Sequence, residues 1–537
     1  MLALSALPAT QQVAFAAATS VPCGDVTALQ NAITTANAAS EPTTITLGAS
    51  CTYTITTPAT SEDGLPEVTN TITIVGNGST ITRDSETPFR ILHVSGSGDL
   101  TVQNVTITNG RDEDSTESRG GGILNDGATL AVHNSTITSN SVSTTGSLAV
   151  SAKGAGIYST GDTTILNSKV AKNVAEIAVT PGEVGFPAAA AGGGGIAAKG
   201  GTLVVGNSTV ADNNVSATTA DNLEAITAAG GGIVAKGGNP FNPTASLPGP
   251  TVTITGTTLS GNNVTAGATG DINPEIIAAG GGYAQNNLAL DGGTAPTVTM
   301  KMVNTTINGN NVNTAGGTST GGGIAMKGSF ITDSIGVINA TVAGNTSGGG
   351  AISQSGPGRF TVTNTIVNST NEANCDGTFT DGGANISFPA SDTTCAGTFG
   401  TGDPNLGPLA LNGGGTKTMA LGTGSAAIDT AGDACFPDPP NGAGGIDQRG
   451  EVRPGTGTEA CDIGAYEVQK EVVVPSPSPS GSPAAGETAS PPASGLPQAL
   501  PDTGSGSPGG EAPVTLVGGL VAMAAVGASR LRRRRRA

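Results

Sequence analysis

The residues of this chain that could take part in chemistry lie near its C-terminus. A proline-containing pentapeptide is followed by an apolar run, Val514 to Ala528, and then by a basic tail with Arg530 and Arg532 to Arg536. An extended pentapeptide can enter the cleft of a peptidase-like enzyme, an apolar run can pause in a bilayer, and arginines stay on its cytoplasmic side. These features predict that the chain is the substrate of a peptidase-like enzyme and not its catalyst. The motif consists of Leu500, Pro501, Asp502, Thr503 and Gly504.

This order of features resembles the LPxTG cell-wall anchors of Gram-positive bacteria. In that family a sortase thiolate attacks the threonine carbonyl, here that of Thr503, and an amine of peptidoglycan resolves the acyl-enzyme. The resemblance implies sortase and peptidoglycan as partners and attachment to the cell wall on the extracellular side. An ordinary membrane-spanning helix is the alternative. Residues 514–528 fall short of the ~20 residues that span a bilayer, so we expect only transient membrane engagement of this segment.

The N-terminus carries features of export. Residues 1–18 are uncharged and largely apolar and end in the string AFAAA, which offers small-residue cleavage sites. This predicts the remnant of a signal peptide and therefore a secreted protein. A basic n-region is missing, so an alanine-rich terminus without a signal function is the alternative.

The cysteines are expected to form disulfides, because an exported chain meets an oxidising environment. Proximity in the sequence favours three local pairs, although the sequence alone does not fix the connectivity. These pairs are Cys23 with Cys51, Cys375 with Cys395, and Cys435 with Cys461. A metal site is not expected, since CxxC spacing is absent and His93 and His133 lie far from every cysteine.

A short pattern, V-x-N-[ST]-T-[IV], recurs over residues 96–370. Its clearest copies are 132–137 and 205–210, and Gly256 replaces the asparagine in one copy. A second asparagine follows three residues after the closing aliphatic residue. A glycine-rich strand start, such as Gly193 to Ile196, comes after a segment of variable length. The second asparagines are Asn140, Asn173, Asn213, Asn262, Asn310 and Asn345.

The side-chain pattern predicts strands of very short length. Aliphatic residues alternate, and the β-branched residues Val, Ile and Thr dominate. Such a strand cannot bury a face alone, but equivalent strands stacked from successive repeats bury a continuous aliphatic column. We therefore predict an all-β fold, a single-chain parallel β-helix whose right-handedness is taken from the fold class.

The first asparagine of each copy is interpreted as a turn residue in the left-handed conformation. Its amide would stack on its neighbour at the ~4.8 Å strand spacing, forming an internal asparagine ladder in place of a ligand site. Glycine triplets are expected to supply positive φ or close backbone approach. The predicted ladder residues are Asn134, Asn167, Asn207, Asn304, Asn339 and Asn364.

Two family resemblances support this fold. The glycine and asparagine elements are similar to the GGA[IL] and FxxN repeats of polymorphic outer-membrane proteins, with aliphatic residues where that family has Phe. Residues 20–469 as a whole, ending in the strings DQRGEVRP at 447–454 and DIGAYE at 462–467, resemble the choice-of-anchor Q family of bacterial surface proteins. This second resemblance implies a surface β-helix with no assigned activity.

The segments of variable length are predicted to leave from one corner of the solenoid. Repeat proteins often carry recognition on such an edge. We interpret these alanine-rich, slightly acidic segments as insertion loops that could present a face to an unknown extracellular ligand, with solvated spacers as the alternative. The segments are 143–153, 176–191, 216–229 and 266–279.

Opposite charges are dense near the end of the folded region. A catalytic site is one interpretation, and an ion-paired cap that closes the open end of the β-helix is the favoured one. The residues concerned are Asp447, Arg449, Arg453, Asp462 and Glu467. The acidic string 112–114 is interpreted as a solvated loop, because carboxylates are too sparse for a calcium site.

These features divide the chain into six parts. Residues 1–18 are the signal remnant, 19–95 an N-terminal cap with the first coils, and 96–370 the repeats. Residues 371–469 are a C-terminal capping region. A Pro/Ser/Gly/Ala-rich linker at 470–499 is expected to be extended and to cross the wall. The sorting segment occupies 500–537.

Composition limits the possible functions. The chain has 84 Gly, no Trp, 12% charged residues and a net charge of −18, which disfavours nucleic-acid partners. We expect a non-catalytic, adhesin-like or surface-display protein without a cofactor. The alternative is a β-helix polysaccharide lyase or hydrolase, which rests on fold analogy. The lysines are scattered, and those that recur after the glycine strands are interpreted as architectural: Lys199, Lys236 and Lys327.

Overall fold

The computed structural model describes the chain from residue 17 to residue 469 with internal gaps. The described residues are 17–145, 150–179, 188–219, 225–237, 248–268, 275–287, 297–328, 331–369, 373–395, 397, 399–431, 445–455 and 460–469. They belong to the first of two compact units, Met1–Val472, and the second unit is Val473–Ala537. The signal remnant up to residue 16, the linker, the sorting motif and the apolar run lie outside the described residues.

The protein is a parallel β-helix, as predicted, with one helix near its start. In chain order the first elements are β1 (Ala17–Val21), α1 (Val26–Asn37), β2 (Thr43–Leu47), β3 (Thr52–Ile55), β4 (Thr71–Arg83), β5 (Leu92–Ser95), β6 (Asp99–Thr108), β7 (Arg111–Asp114), β8 (Glu117–Arg119), β9 (Ile123–Asp126), β10 (Thr129–His133), β11 (Thr136–Thr138), β12 (Ser141–Thr144), β13 (Val150–Lys153) and β14 (Ile157–Ser159). The next are β15 (Asp162–Leu166), β16 (Lys169–Ala171), β17 (Val174–Val179), β18 (Ala188–Gly192), β19 (Ile196–Ala198), β20 (Thr202–Gly206), β21 (Thr209–Ala211), β22 (Asn214–Thr219), β23 (Ala225–Ala229), β24 (Ile233–Ala235), β25 (Thr251–Thr255), β26 (Thr258–Ser260), β27 (Asn263–Ala268) and β28 (Glu275–Ala279). The last are β29 (Tyr283–Asn287), β30 (Thr299–Asn308), β31 (Asn311–Ala315), β32 (Thr318–Thr320), β33 (Ile324–Gly328), β34 (Ser334–Ala343), β35 (Ile352–Ser355), β36 (Arg359–Thr363), β37 (Ile366–Asn368), β38 (Cys375–Asp376), β39 (Thr380–Asp381), β40 (Ile386–Phe388), β41 (Leu406–Ala410) and β42 (Thr418–Leu421).

Two sheets enclose the main core. The 19-stranded long sheet contains the V-x-N-[ST]-T-[IV] strands, and a nine-stranded sheet contains the strands that begin after the glycine triplets. Strand β10 pairs in parallel with β6 and β15 without a register shift, so Val132 stacks on Val102 and Ile165, while Leu130 stacks on Leu100 and Thr163. Ile157 of β14 faces them from the nine-stranded sheet and is fully buried. The period-2 alternation of the sequence is therefore the core of the solenoid.

The described parts of the insertion segments are largely strands, which corrects their interpretation as loops or solvated spacers. Strands β7, β12, β17, β22, β27 and β31 form one six-stranded sheet, and β8, β13, β18, β23, β28 and β32 form another. We call these the first and second fin sheets. They share a separate hydrophobic core of Val, Ile and Ala, including Val142, Ile177 and Ala228. Small side chains suit this core because the two sheets pack closely, and the alanine-rich composition had concealed the strand pattern.

The N-terminal end of the core is covered by α1, which the all-β interpretation did not anticipate. Asp25 caps this helix by accepting a hydrogen bond from the Ala28 backbone N–H at 2.8 Å. Its apolar face, with Leu29 and Ile33, is buried in the main core. A helix at this position lets the first coil end without an exposed apolar layer.

The C-terminal region has two parts, so the expected cap is wrong in part. Strands β38, β39 and β40 continue the coils, and Phe379 and Phe399 join the main core. The described residues after 400, which we call the flank segment, instead lie along the outer face of the long sheet. Gln448 hydrogen-bonds to Thr306 at 2.6 Å and to Thr258 at 3.1 Å. The charged set therefore braces the side of the solenoid.

Candidate functional site

The disulfide predictions are confirmed where they can be followed. Cys23 is bonded to Cys51 and Cys375 to Cys395, with Cα–Cα distances of 5.4 Å and 4.9 Å. Cys461 is also disulfide-bonded. Its expected partner, Cys435, lies outside the described residues. The first two bonds fasten the beginning and the end of the described coils.

The first asparagines occupy left-handed turns, but most of them do not form the predicted ladder. Asn134, Asn167 and Asn207 have φ of 48°, 50° and 48° and are exposed. Asn304, Asn339 and Asn364 share this conformation and are covered by the flank segment. Only one side-chain amide bond joins two of these six described residues, from Asn364 Nδ2 to Asn339 Oδ1 at 2.8 Å. Their φ angles place the backbone in the left-handed bend between two strands of the long sheet.

The ladder runs through the second asparagines instead. From Asn140 to Asn345, each Nδ2 donates to the Oδ1 of the next at 2.8–3.0 Å. Each Oδ1 also accepts the preceding asparagine's backbone N–H, for example Asn173 N to Asn213 Oδ1 at 3.1 Å. These side chains are at most 1% exposed. They satisfy buried backbone groups where the long sheet turns into the first fin sheet, so this polar column is structural.

The charged set of the flank segment is buried and paired. Arg453 Nη1 lies 3.1 Å from Glu467 Oε2, and Arg449 Nη2 lies 2.7 Å from Asp447 Oδ2. The Arg449 guanidinium also stacks on Tyr466, with Cζ 3.8 Å from the ring centroid. Burial raises the pKa of Glu467 to about 6. Because both arginines are committed to these contacts, the arrangement favours bracing over catalysis.

A second charged cluster, which sequence reasoning missed, lies at the N-terminal end of the fin. Arg90 Nη1 is 2.8 Å from Asp63 Oδ1, its Nη2 is 2.9 Å from Asp112 Oδ1, and His93 Nδ1 is 3.4 Å from Asp63 Oδ2. Burial alone would raise the pKa of Asp63, but hydrogen bonds from His93 and Arg90 outweigh it and lower that pKa. Asp112 is a buried residue of β7, so the solvated-loop interpretation of 112–114 is wrong for it. These residues come from separate coils and meet only in the folded protein. Their spacing in the sequence therefore gives no sign of the cluster.

Several of the scattered cations converge at one inside corner of the molecule. There the outer face of the second fin sheet meets the outer face of the nine-stranded sheet. Arg119 and Lys153 are register partners at the ends of β8 and β13. Lys199 and Lys236 directly follow β19 and β24, which are neighbouring strands. We call these four residues the basic corner.

The floor of the basic corner is apolar. It is formed by the outward residues of the nine-stranded sheet together with Ala229 of the second fin sheet, and they form one cluster. The floor residues are Leu124, Tyr158, Ala197, Ala229, Val234 and Ala284. The Arg119 guanidinium lies over the Tyr158 ring with Cζ 5.5 Å from the centroid. Burial, together with the positive charge of Lys236, lowers the pKa of Lys153 to about 7, and burial lowers that of Lys236 to about 8.

Comparison of this chain with protein-family models, curated proteins and solved structures found no match.

The described residues contain no group of three or more His, Cys, Asp or Glu side chains placed to hold a metal ion. No helix among them is long and apolar enough to cross a membrane.

The remaining lysines do not belong to the basic corner. Lys169 of β16 and Lys172 of the adjacent turn are exposed at the long sheet, and Lys301 also lies on that sheet. Lys327 of β33 lies further along the nine-stranded sheet, in register with Asn286. Recurrence after the glycine strands was visible in the sequence for Lys199 and Lys236. The sequence did not show that Arg119 and Lys153 belong to the same corner, because their positions depend on the strands of the second fin sheet.

Proposed function

We propose that this protein is a non-catalytic, wall-attached surface rod of a Gram-positive bacterium, adhesin-like or used for surface display. The observation that carries the proposal is the order of LPDTG motif, apolar run and arginine tail at residues 500–537. Sortase would form a thioester with the Thr503 carbonyl, releasing residues from Gly504 onward. Attack by a peptidoglycan amine would then release the enzyme and leave an amide bond.

The fold is compatible with display at a surface. A parallel β-helix extends with each added coil, and the disulfides, the asparagine ladder and the flank segment brace it. The linker at 470–499 would hold the rod away from the anchor. The resemblances to choice-of-anchor Q proteins and to polymorphic outer-membrane repeats point the same way. The lyase or hydrolase alternative rests on fold analogy alone.

Cell fractionation tests the attachment. In the native cell, the double variant Leu500→Ala, Pro501→Ala should move from the wall fraction to the membrane and medium. The neighbouring Leu496-Pro497 provides a matched control, because Leu496→Ala, Pro497→Ala removes the same two side chains outside the motif. We expect the control variant to remain in the wall. Equal wall attachment of both variants, or attachment that persists without sortase, would overturn the proposal.

A further inference from the structure

The basic corner carries four cations from four successive coils. Arg119 and Lys153 are register neighbours, and their column continues with Gly192 and Ala229. Lys199 and Lys236 lie in a second column, at the ends of the neighbouring strands β19 and β24. The four cations are therefore two pairs in two columns of the corner, on coils that lie ~4.8 Å apart.

These cations are poorly neutralised by the protein itself. Glu117 is the only ion-pair partner of Arg119 and Lys153 among the described residues, at 4.0 Å and 3.9 Å. Lys199 and Lys236 have no ion-pair partner there. The whole chain nevertheless carries a net charge of −18, so a weakly compensated cluster of cations is unusual on this molecule. Half-buried charges without partners are costly, and an external anion would relieve that cost.

We propose that the basic corner binds a linear anionic polysaccharide, with its carboxylate or sulfate groups against these two pairs of cations. Four cations spread over four coils match a polymer that carries several anions better than a single small anion. Nucleic acid fits less well, because the only aromatic ring of the corner's floor is covered by Arg119 and offers no base-stacking platform.

This inference goes beyond the proposed function and does not depend on it. Wall attachment concerns residues 500–537, whereas the basic corner lies within residues 119–236. The purified full chain can therefore show polysaccharide binding whether or not sortase processes it. The arginine tail is present in every variant compared, so its contribution is common to all of them.

The test measures the Kd of the full chain for polygalacturonate, dextran sulfate and neutral dextran of matched length. The variant Lys199→Gln, Lys236→Gln should bind at least about tenfold more weakly than the wild type to the anionic polymer it recognises, because two direct ionic contacts are lost. The control Lys169→Gln, Lys172→Gln makes the same charge change on the long sheet and should alter the Kd by less than about twofold. Preference for polygalacturonate would assign carboxylate recognition, and preference for dextran sulfate would assign sulfate recognition.

A purely architectural role for the lysines predicts a different result. The variant Lys199→Arg, Lys236→Arg keeps the charge and should retain binding, while circular dichroism confirms that every variant keeps its strand content. The proposal is overturned if neither anionic polymer binds, if neutral dextran binds equally well, or if both glutamine variants lose binding to the same extent. Stronger binding of a single-stranded oligonucleotide than of either polysaccharide, lost in the same variant, would also overturn it.

Discussion

Two asparagine columns recur with the same spacing, yet they differ in environment. Asn207 sits in an exposed left-handed turn, whereas Asn213 is fully buried and makes side-chain bonds to the coils on both sides. The sequence predicted both the turn conformation and the existence of a ladder, because only asparagine combines easy access to αL with an amide that can stack. It did not tell which column lay inside, since that depends on where the chain turns into the fin.

Replacement of a ladder residue should be much more costly than replacement of a turn residue. Asn213→Ala removes the acceptor of Asn173 Nδ2 and the donor to Val170 O, leaving buried groups unsatisfied. We expect the free energy of unfolding to fall by about 3 kcal/mol. Asn207→Gly keeps the αL turn and should cost less than about 1 kcal/mol. Denaturant titration of both variants checks this, and equal losses would contradict the ladder assignment.

The basic corner should make stability depend on pH. Lys153 has a pKa of about 7 in the folded protein, against about 10.5 for an unperturbed lysine. Between these values the unfolded chain binds more protons, so the free energy of unfolding should rise as pH increases from 7 to 10. Below pH 7 Lys153 is protonated in both the folded and the unfolded protein, so the folded protein bears the full cost of burying its charge.

The variant Lys153→Met isolates this contribution. It should be more stable than the wild type at pH 6, and the difference should shrink towards pH 10. The groups that face Lys153 are Glu117, Arg119, Lys199 and Lys236, none of which is altered. Parallel pH profiles for wild type and variant would contradict a depressed pKa at this position.

At the scale of elements, glycine triplets set the distance between neighbouring coils. Gly193 has φ of +63°, which favours glycine, whereas Gly195 is required for space. A Cβ at Gly195 would lie 2.6 Å from the carbonyl oxygen of Gly232 and 3.0 Å from Asn213 Nδ2. Both roles were predicted from the sequence as alternatives, and the structure assigns one to each position.

Gly195→Ala should therefore separate two coils. We expect a loss of roughly 2 kcal/mol or more, since the clash is with backbone of the next coil and cannot be relieved by a side-chain rotation. Gly336→Ala is a matched control in β34, where the nearest atom to a new Cβ is 3.9 Å away and φ is not positive. That change should be neutral or slightly stabilising. Comparable melting temperatures for the two variants would contradict this account of coil spacing.

The fin is the element that sequence reasoning missed. Its strands contain runs such as Ala188 to Gly192, whose small side chains give little alternation of hydrophobicity. One such strand buries little apolar surface, but a stack of six buries enough to form a core. The core is therefore recognisable only in the assembled solenoid. Pairing between separate coils likewise created the Arg90 cluster, whose members have no common sequence spacing.

At the scale of the whole molecule, the described coils form a solenoid that two disulfides and the flank segment brace. The fold and the recurrence of the coils could be predicted because a local pattern repeats many times, and the two described disulfides could be predicted from proximity in the sequence. The position of the flank segment could not, since non-repeating contacts such as Gln448 with Thr306 bring it to the long sheet. The proposed wall anchor depends on the sequence of residues 500–537 alone.

The most direct test of the wall-attachment proposal is the mass of the C-terminal peptide released from purified cell wall. Digestion of the wall with a muramidase, followed by proteolysis and mass spectrometry, should yield a peptide that ends at Thr503 and carries a peptidoglycan fragment in amide linkage. The same peptide should be absent from cells that lack sortase. Recovery of chains that still contain Arg530 to Arg536 as the main cell-associated form would contradict wall attachment.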